Sequence, residues 1–261
     1  MEKAKNLFWY RRLQKHGHTG WADPVIYAYD QQERMAFIKC IISKSEINCG
    51  VAFDFGCGTG SFSKLLLDMG FTVCGYDPFV RPDISSPKFS YVSNYNNVNC
   101  KIHAADLVLS VTVLDHILDE KELCVTLDFI RGCLKPEGVF YMLEYAINTE
   151  ADREKFNLNN NYQSFRTFFK WESLLRQHGF KVVESFSVPH PVMCPSDGYI
   201  AYNRTFLCRL IRRYQGLFSL VKPFRNVKLS KCAAFFVKDF PANLQPGKSS
   251  PLRLIRCSVA G

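Results

Sequence analysis

Phe53-Asp54-Phe55-Gly56-Cys57-Gly58-Thr59-Gly60 is the stretch on which the fold reading turns. An apolar run, 51–55, leads into it. Residues 62–69 follow, with Phe62, Leu65, Leu66 and Met69 at helical spacing before Gly70. A strand that ends in alternating glycines and then opens a helix suits close approach of backbone to a ligand, because glycine accepts positive φ and carries no Cβ. A second apolar run, 72–76, ends at Asp77, 21 positions after Gly56. A carboxylate there can accept hydrogen bonds from both hydroxyls of a ribose. Ser61 stands where a dinucleotide fingerprint has its third glycine. The G-x-G-x-G spacing therefore disfavours a pyrophosphate on the helix N-terminus and favours a nucleoside cofactor without phosphate. A plain tight turn would explain the glycines, but not Asp77 at its distance.

Working outward, strands are predicted at 90–92, 107–113, 139–145, 181–188 and 233–237, and helices at 26–43, 121–133 and 171–178. Lys135-Pro136-Glu137-Gly138 reads as a turn. Strands separated by helix-length segments predict an α/β fold: a doubly wound, Rossmann-like sheet of seven mostly parallel strands with helices on both faces. Ligands of such sheets lie at the carboxyl ends of the strands, where strand order reverses. The expected organisation is an N-terminal lid or helical segment over 1–45, a main domain over 46–240 with a basic helical insertion at 198–230, and a tail over 241–261.

The composition, 47% hydrophobic and 22% charged over 261 residues, suits one large folded domain. No apolar run approaches the roughly 18–20 residues a membrane span needs. The first residues show no signal-peptide pattern, so the expected compartment is the cytosol. Eleven cysteines are scattered without a CxxC pair, as reduced thiols would be. No metal site is expected: no Cys/His cluster has zinc spacing, and His16 and His18 have no acidic or Cys partner near them. The net charge of +9 is local. Between Asp197 and Asp239 there is no acidic residue and there are nine basic ones, which equals the excess of the whole chain. A local basic surface points to a partner.

Four stretches, in order, resemble class I S-adenosylmethionine-dependent methyltransferases. Asp54 with Gly56, Gly58 and Gly60 matches the first motif, and Gly75-Tyr76-Asp77-Pro78 the second. Val111-Thr112-Val113-Leu114-Asp115-His116-Ile117 matches the motif after strand four, and Leu134-Lys135-Pro136-Glu137-Gly138 the turn before strand five. The resemblance covers roughly 50–190 and implies S-adenosyl-L-methionine as cofactor. It implies that backbone at Phe55, Gly56, Cys57 and Gly58 meets the methionine end and that Asp54 helps hold its amino group. It implies too that Asp77 binds the ribose, that Pro78 lies against the adenine, and that Asn94 or Ser93 covers the adenine. Thr112 and Gly60 join the cofactor set. The stretch 93–98 departs from the family's usual form at that loop.

Two residues are candidates for chemistry. His116 follows strand four, where an imidazole can take a proton from a hydroxyl acceptor, or can serve as a scaffold that packs beside the cofactor. Glu144, near the end of strand five, is a base or binding residue, or a solvated strand-end charge. Asp115 contacts the cofactor or caps the helix beginning nearby. Ahead of strand one, the resemblance implies a lid in which Tyr29, Gln31 and Arg34 contact cofactor or acceptor, with Arg34 able to clamp a carboxylate or phosphate; the alternative is an ordinary packing helix. The basic insertion has three readings: a helix over the acceptor pocket with its cations outward, a site for an anionic acceptor such as a phosphorylated sugar, or a peripheral contact with an anionic membrane.

The expected activity is methylation, by preference on oxygen, of a small molecule or saccharide or glycan precursor. A nucleic-acid methyltransferase is disfavoured, because no Asn/Asp-Pro-Pro-Tyr follows strand four and no RNA-binding module is appended. A catalytically silent methyltransferase-fold binding protein is the other alternative, and a nicotinamide oxidoreductase stands third.

Overall fold

The computed structural model describes residues 2–18, 20, 24–45, 47, 49–94, 104–158, 162–188 and 252–260. Two helices, α1 (Glu2–His16) and α2 (Pro24–Ser43), precede the sheet. Then come β1 (Val51–Phe55), α3 (Ser61–Asp68), β2 (Thr72–Tyr76), β3 (Phe89–Val92) and β4 (Ala105–Val111). A 3-10 turn (Leu114–His116), α4 (Glu120–Cys133) and β5 (Leu134–Ile147) follow. The chain continues through α5 (Glu150–Asn157), β6 (Arg166–Thr167), α6 (Phe168–Gln177), β7 (Phe180–Ser187) and β8 (Leu252–Val259).

The strand order is β3-β2-β1-β4-β5-β8-β7, with the short β6 pairing β5 off this path. β8 runs antiparallel to both its neighbours, and the other pairings are parallel. The expected seven-stranded, mostly parallel sheet is therefore present. Order reverses between β1 and β4, which lie side by side with Phe55 opposite Ser110.

Period-two alternation gives the sheet its two buried faces. Along β5, Val139, Tyr141 and Leu143 pack on one side with Ile38 and Ile42 of α2 and Phe62 and Leu66 of α3. Phe140 and Met142 pack on the other with Leu123 and Leu127 of α4 and Trp171 and Leu175 of α6. Helix starts are capped as their sequences allow: the Asp119 side chain accepts from Glu122 N, that of Thr149 from Asp152 N and that of Thr167 from Lys170 N.

Three expectations are corrected. β4 ends at Val111, two residues short of 113, because Thr112 takes a left-handed φ of 52° that no strand accommodates. The Lys135–Gly138 turn is a break in register within a longer β5, between the Ala105–Leu134 and Leu107–Val139 pairs. The C-terminal stretch is no tail, because Leu252–Val259 inserts between β5 and β7. The strand expected at 233–237 and the basic insertion at 198–230 lie outside the described residues.

Candidate functional site

The carboxyl ends of β1, β2 and β4 converge on the glycine loop. Gly56, Gly58 and Gly60 have φ of 78°, 52° and 87°. Gly56 N and Cys57 N donate to Tyr76 O at 2.7 and 2.8 Å, which ties the loop to the end of β2. The three glycines have different reasons to lack a side chain. A methyl group on Gly56 would overlap Val113 Cγ2, and one on Gly60 would lie 2.7 Å from both Pro82 Cβ and Ile84 Cδ1. One on Gly58 would meet nothing within 4 Å. Gly58 thus leaves open space on the face where a nucleoside would approach.

Asp54 lies buried under this loop, and its Oδ2 accepts from Ser63 Oγ at 2.6 Å. Burial pushes its carboxyl up to about 7, against the opposing Ser63 hydrogen bond, and nearby Asp77 adds to the rise. Asp77 Oδ2 accepts from Gly58 N at 3.1 Å, and Oδ1 from Phe79 N and Val80 N at 2.8 and 2.9 Å. Burial raises Asp77 as well, and those three amides oppose it. Tyr91 Oη donates to Asp77 O at 2.7 Å, and Asp77 N to Val92 O at 3.3 Å. β3 therefore brings Ser93 and Asn94 alongside Asp77, and Asn94 and Pro78 are both exposed there. Cys57 is buried beneath the loop, close to Gly75, and burial raises its thiol far above the usual range.

α2 reaches the same edge. Arg34 Nε donates to Asp30 Oδ1 at 2.9 Å, with both side chains buried, and Arg34 Nη1 lies 3.5 Å from Thr112 Oγ1. Thr112 is the one non-glycine residue with positive φ among the described residues, and its N donates to Leu143 O at 2.7 Å. Backbone held in this region beside a ligand cleft is a common mark of function. The side chain of Tyr29 lies outside the description.

Beyond Thr112, the loop is held by Glu144. This residue is buried on β5, and its Oε1 accepts from Val113 N and Leu114 N, both at 2.8 Å, while Oε2 accepts from Asp115 N at 3.4 Å. Burial, reinforced by Asp115, raises its carboxyl well above the ordinary range. Its oxygens face backbone amides under the loop, where the sequence reading had placed it facing the cleft or solvent. His116 is partly exposed. Its Nδ1 lies 2.9 Å from Tyr162 O, and the Trp9 ring of α1 meets it edge-on with centroids 4.5 Å apart. A carbonyl only accepts, so Nδ1 donates here, and in the neutral ring that leaves the lone pair on Nε2. Asp115 is buried under this ring.

Sequence reasoning reached the glycine loop, Asp54, Asp77, Thr112 and His116, and the structure brings them to one edge of the sheet. It missed Asp30, whose spacing four residues before Arg34 on a helix was the available signal. It also missed Trp9 and the contacts of 162–166, which no local pattern announces.

A nucleoside-type glycine loop, an acid ending β2 and this strand order define the class I methyltransferase fold. A family model described as a methyltransferase domain matches residues 43–185, and the chain belongs to that family. It is a methyltransferase of the class that uses S-adenosylmethionine.

The chain is similar in structure to a Burkholderia thailandensis 1,6-didemethyltoxoflavin-N1-methyltransferase with bound S-adenosylhomocysteine, at 19% identity and TM-score 0.52, covering 73% of this chain and 83% of that one. It is also similar to the Haemonchus contortus phosphoethanolamine N-methyltransferase 2, at 14% identity and TM-score 0.57, covering 98% and 60%. A third similar structure is a mitomycin 7-O-methyltransferase, at 14% identity and TM-score 0.50, covering 87% and 54%. At these identities the likeness is one of fold. No curated protein matches the chain.

Among the described residues, no helix is long and apolar enough to cross a membrane.

Proposed function

We propose that the chain transfers the methyl group of S-adenosylmethionine to a hydroxyl of a small molecule or saccharide precursor, with His116 as the proton acceptor. The observation that carries this reading is the setting of His116 at the carboxyl edge of β4: Nδ1 lies 2.9 Å from Tyr162 O, which in the neutral ring leaves the lone pair on Nε2. The residues present fit the donor. Gly58 leaves room for it, Asp77 has oxygens for a ribose, and Asp54 offers a buried carboxylate to an ammonium. Phe55, Gly56, Cys57 and Gly60 shape the turn, Pro78 and Asn94 lie on the adenine side, and Thr112 and Arg34 close the methionine side.

Bound there, the donor supplies an electrophilic methyl on a sulfonium. The protein aligns the acceptor with it. With the methyl donor held there, transfer to the acceptor oxygen would release the hydroxyl proton, and His116 Nε2 would take it. Glu144 acts as the anchor of the loop that carries His116, rather than as a base.

The acceptors named for the similar structures are small molecules, which supports a small acceptor. The nine cations between Asp197 and Asp239 support an anionic one, and a peripheral contact with anionic lipid is the competing use of that charge.

The test is formation of S-adenosylhomocysteine across a panel of hydroxylated small molecules, charged and neutral. His116→Ala is expected to lower kcat by at least about 100-fold, the usual worth of a general base, while affinity for S-adenosylhomocysteine stays within about threefold. Turnover preserved in that variant would remove His116 as the base.

A further inference from the structure

Residues 162–166, which follow α5 and lead into β6, run over the loop that follows β4 and grip it at successive positions. His116 Nδ1 meets Tyr162 O at 2.9 Å. Gln163 Nε2 donates to Asp115 Oδ2 at 3.1 Å. Ser164 N donates to Asp115 O at 2.7 Å. Arg166 Nη2 donates to Ile117 O at 3.1 Å, while its Nη1 donates to Ser164 O at 2.9 Å. The strap is itself tied down. Asn157 of α5 accepts from Phe165 N at 2.8 Å and donates to Phe165 O at 3.0 Å, so its side-chain amide pairs with the strap as a backbone would. Buried Arg166 stacks over Trp171, with its guanidinium 5.0 Å from the ring centroid.

Four contacts along 115–117 from one short segment exceed what is needed to close a loop. Three of them fall on Asp115 and His116. Asp115 Oδ1 is buried with no hydrogen-bond partner among the described residues, and it lies 3.7 Å from His116 Nε2. That separation is too long for a hydrogen bond. In the Nδ1–H form both atoms are acceptors. A proton arriving on Nε2 would lie close to the Asp115 carboxylate, whose proximity favours the protonated ring.

We propose that 162–166 is a positioning strap that sets the tautomer of His116, with Gln163 as its key side chain. The Tyr162 carbonyl holds the hydrogen on Nδ1. Gln163 fixes Asp115 through Oδ2 and so holds the carboxylate 3.7 Å from Nε2, beside the proton that His116 takes up. The edge of Trp9 holds the ring in this setting. Gln163 acts through Asp115 and His116, which makes it a positioning residue. The inference rests on the reading of His116 as proton acceptor.

The test uses the full-length chain with labelled histidine rings and nitrogen NMR, with the His116 signals assigned by their loss in His116→Gln. S-adenosylhomocysteine titration on the same samples reports the cofactor site separately. The expected result is that His116 is held as the Nδ1–H tautomer, opposite to the form that predominates in free histidine. Gln163→Ala is expected to return the ring to a mixture in which Nε2–H gains, with S-adenosylhomocysteine affinity within about threefold of the parent. An Nε2–H ring in the unsubstituted protein overturns the strap, whatever the variant does. A ring that remains wholly Nδ1–H in Gln163→Ala overturns the role given to Gln163. If S-adenosylhomocysteine fails to bind the parent, the cofactor reading fails, and the tautomer measurement still judges the strap.

Discussion

At the scale of single residues, Asp54 and the glycines separate what the fold needs from what the ligand needs. Asp54 is buried with its carboxyl raised to about 7 from 3.8. Between those values the folded chain holds a proton that the unfolded chain has lost, so this group's contribution to stability falls as pH rises from about 4 to 7 and then levels off. An ammonium placed beside Asp54 favours the ionised form. Affinity for S-adenosylhomocysteine is therefore expected to strengthen as pH rises from about 5.5 to 8, by up to about tenfold per unit below 7, with proton release on binding. Asp54→Asn should flatten that profile, and calorimetry in buffers of different ionisation enthalpy would read both effects.

The glycines give a paired test. Gly56→Ala puts a methyl group into Val113 at positive φ and is expected to lower Tm sharply. Gly58→Ala meets no protein atom within 4 Å, so it should cost only the roughly 1–2 kcal/mol of a left-handed alanine. It should nonetheless weaken S-adenosylhomocysteine binding at least about tenfold. Gly58→Ala binding as the parent does would place the ligand elsewhere. The pattern Gly56, Gly58, Gly60 was legible in the sequence because the requirement is local. The division of labour among the three was not, because Val113, Pro82 and Ile84 come from elsewhere in the chain.

At the scale of elements, the end of β4 is where sequence and structure part. The sequence placed His116 correctly beyond the strand, since the motif is contiguous. It gave Glu144 to the cleft because strand ends usually face ligands in such sheets. The structure instead turns this carboxylate onto three amides of the β4 loop, 29 to 31 positions away. Glu144→Gln keeps a side-chain carbonyl for two of them and is expected to retain most stability and turnover. Glu144→Ala leaves buried amides without an acceptor and should cost about 3 kcal/mol or more, read by denaturant unfolding. A stable Glu144→Gln protein with turnover abolished would return Glu144 to the chemistry.

At the scale of the whole molecule, the last strand carries the lesson. Leu252, Leu254, Ile255 and Cys257 are fully buried, yet Arg253 and Arg256 break the apolar pattern from which strands are read. Their charges are accommodated by neighbours distant in sequence: Arg256 pairs with Glu184 at 3.0 Å, and Arg253 lies over the Phe168 ring. The strands β1, β2 and β4 are marked by apolar runs with glycine turns and helix-length segments between them, which is why their order could be read directly. β8 bridges β5 and β7, so removal of 252–261 is expected to abolish cooperative thermal unfolding. A truncated chain that still melts cooperatively would mean that the sheet closes without it.

The site proposed for the nucleoside of the cofactor lies at the reversal of strand order between β1 and β4. The direct measurement is calorimetric titration of the full chain with S-adenosylhomocysteine and with NAD, repeated on Asp77→Ala. Stoichiometric, micromolar binding of S-adenosylhomocysteine is expected, lost in Asp77→Ala, with no heat from NAD. Absent binding, or binding undiminished in Asp77→Ala, would contradict the cofactor site described above.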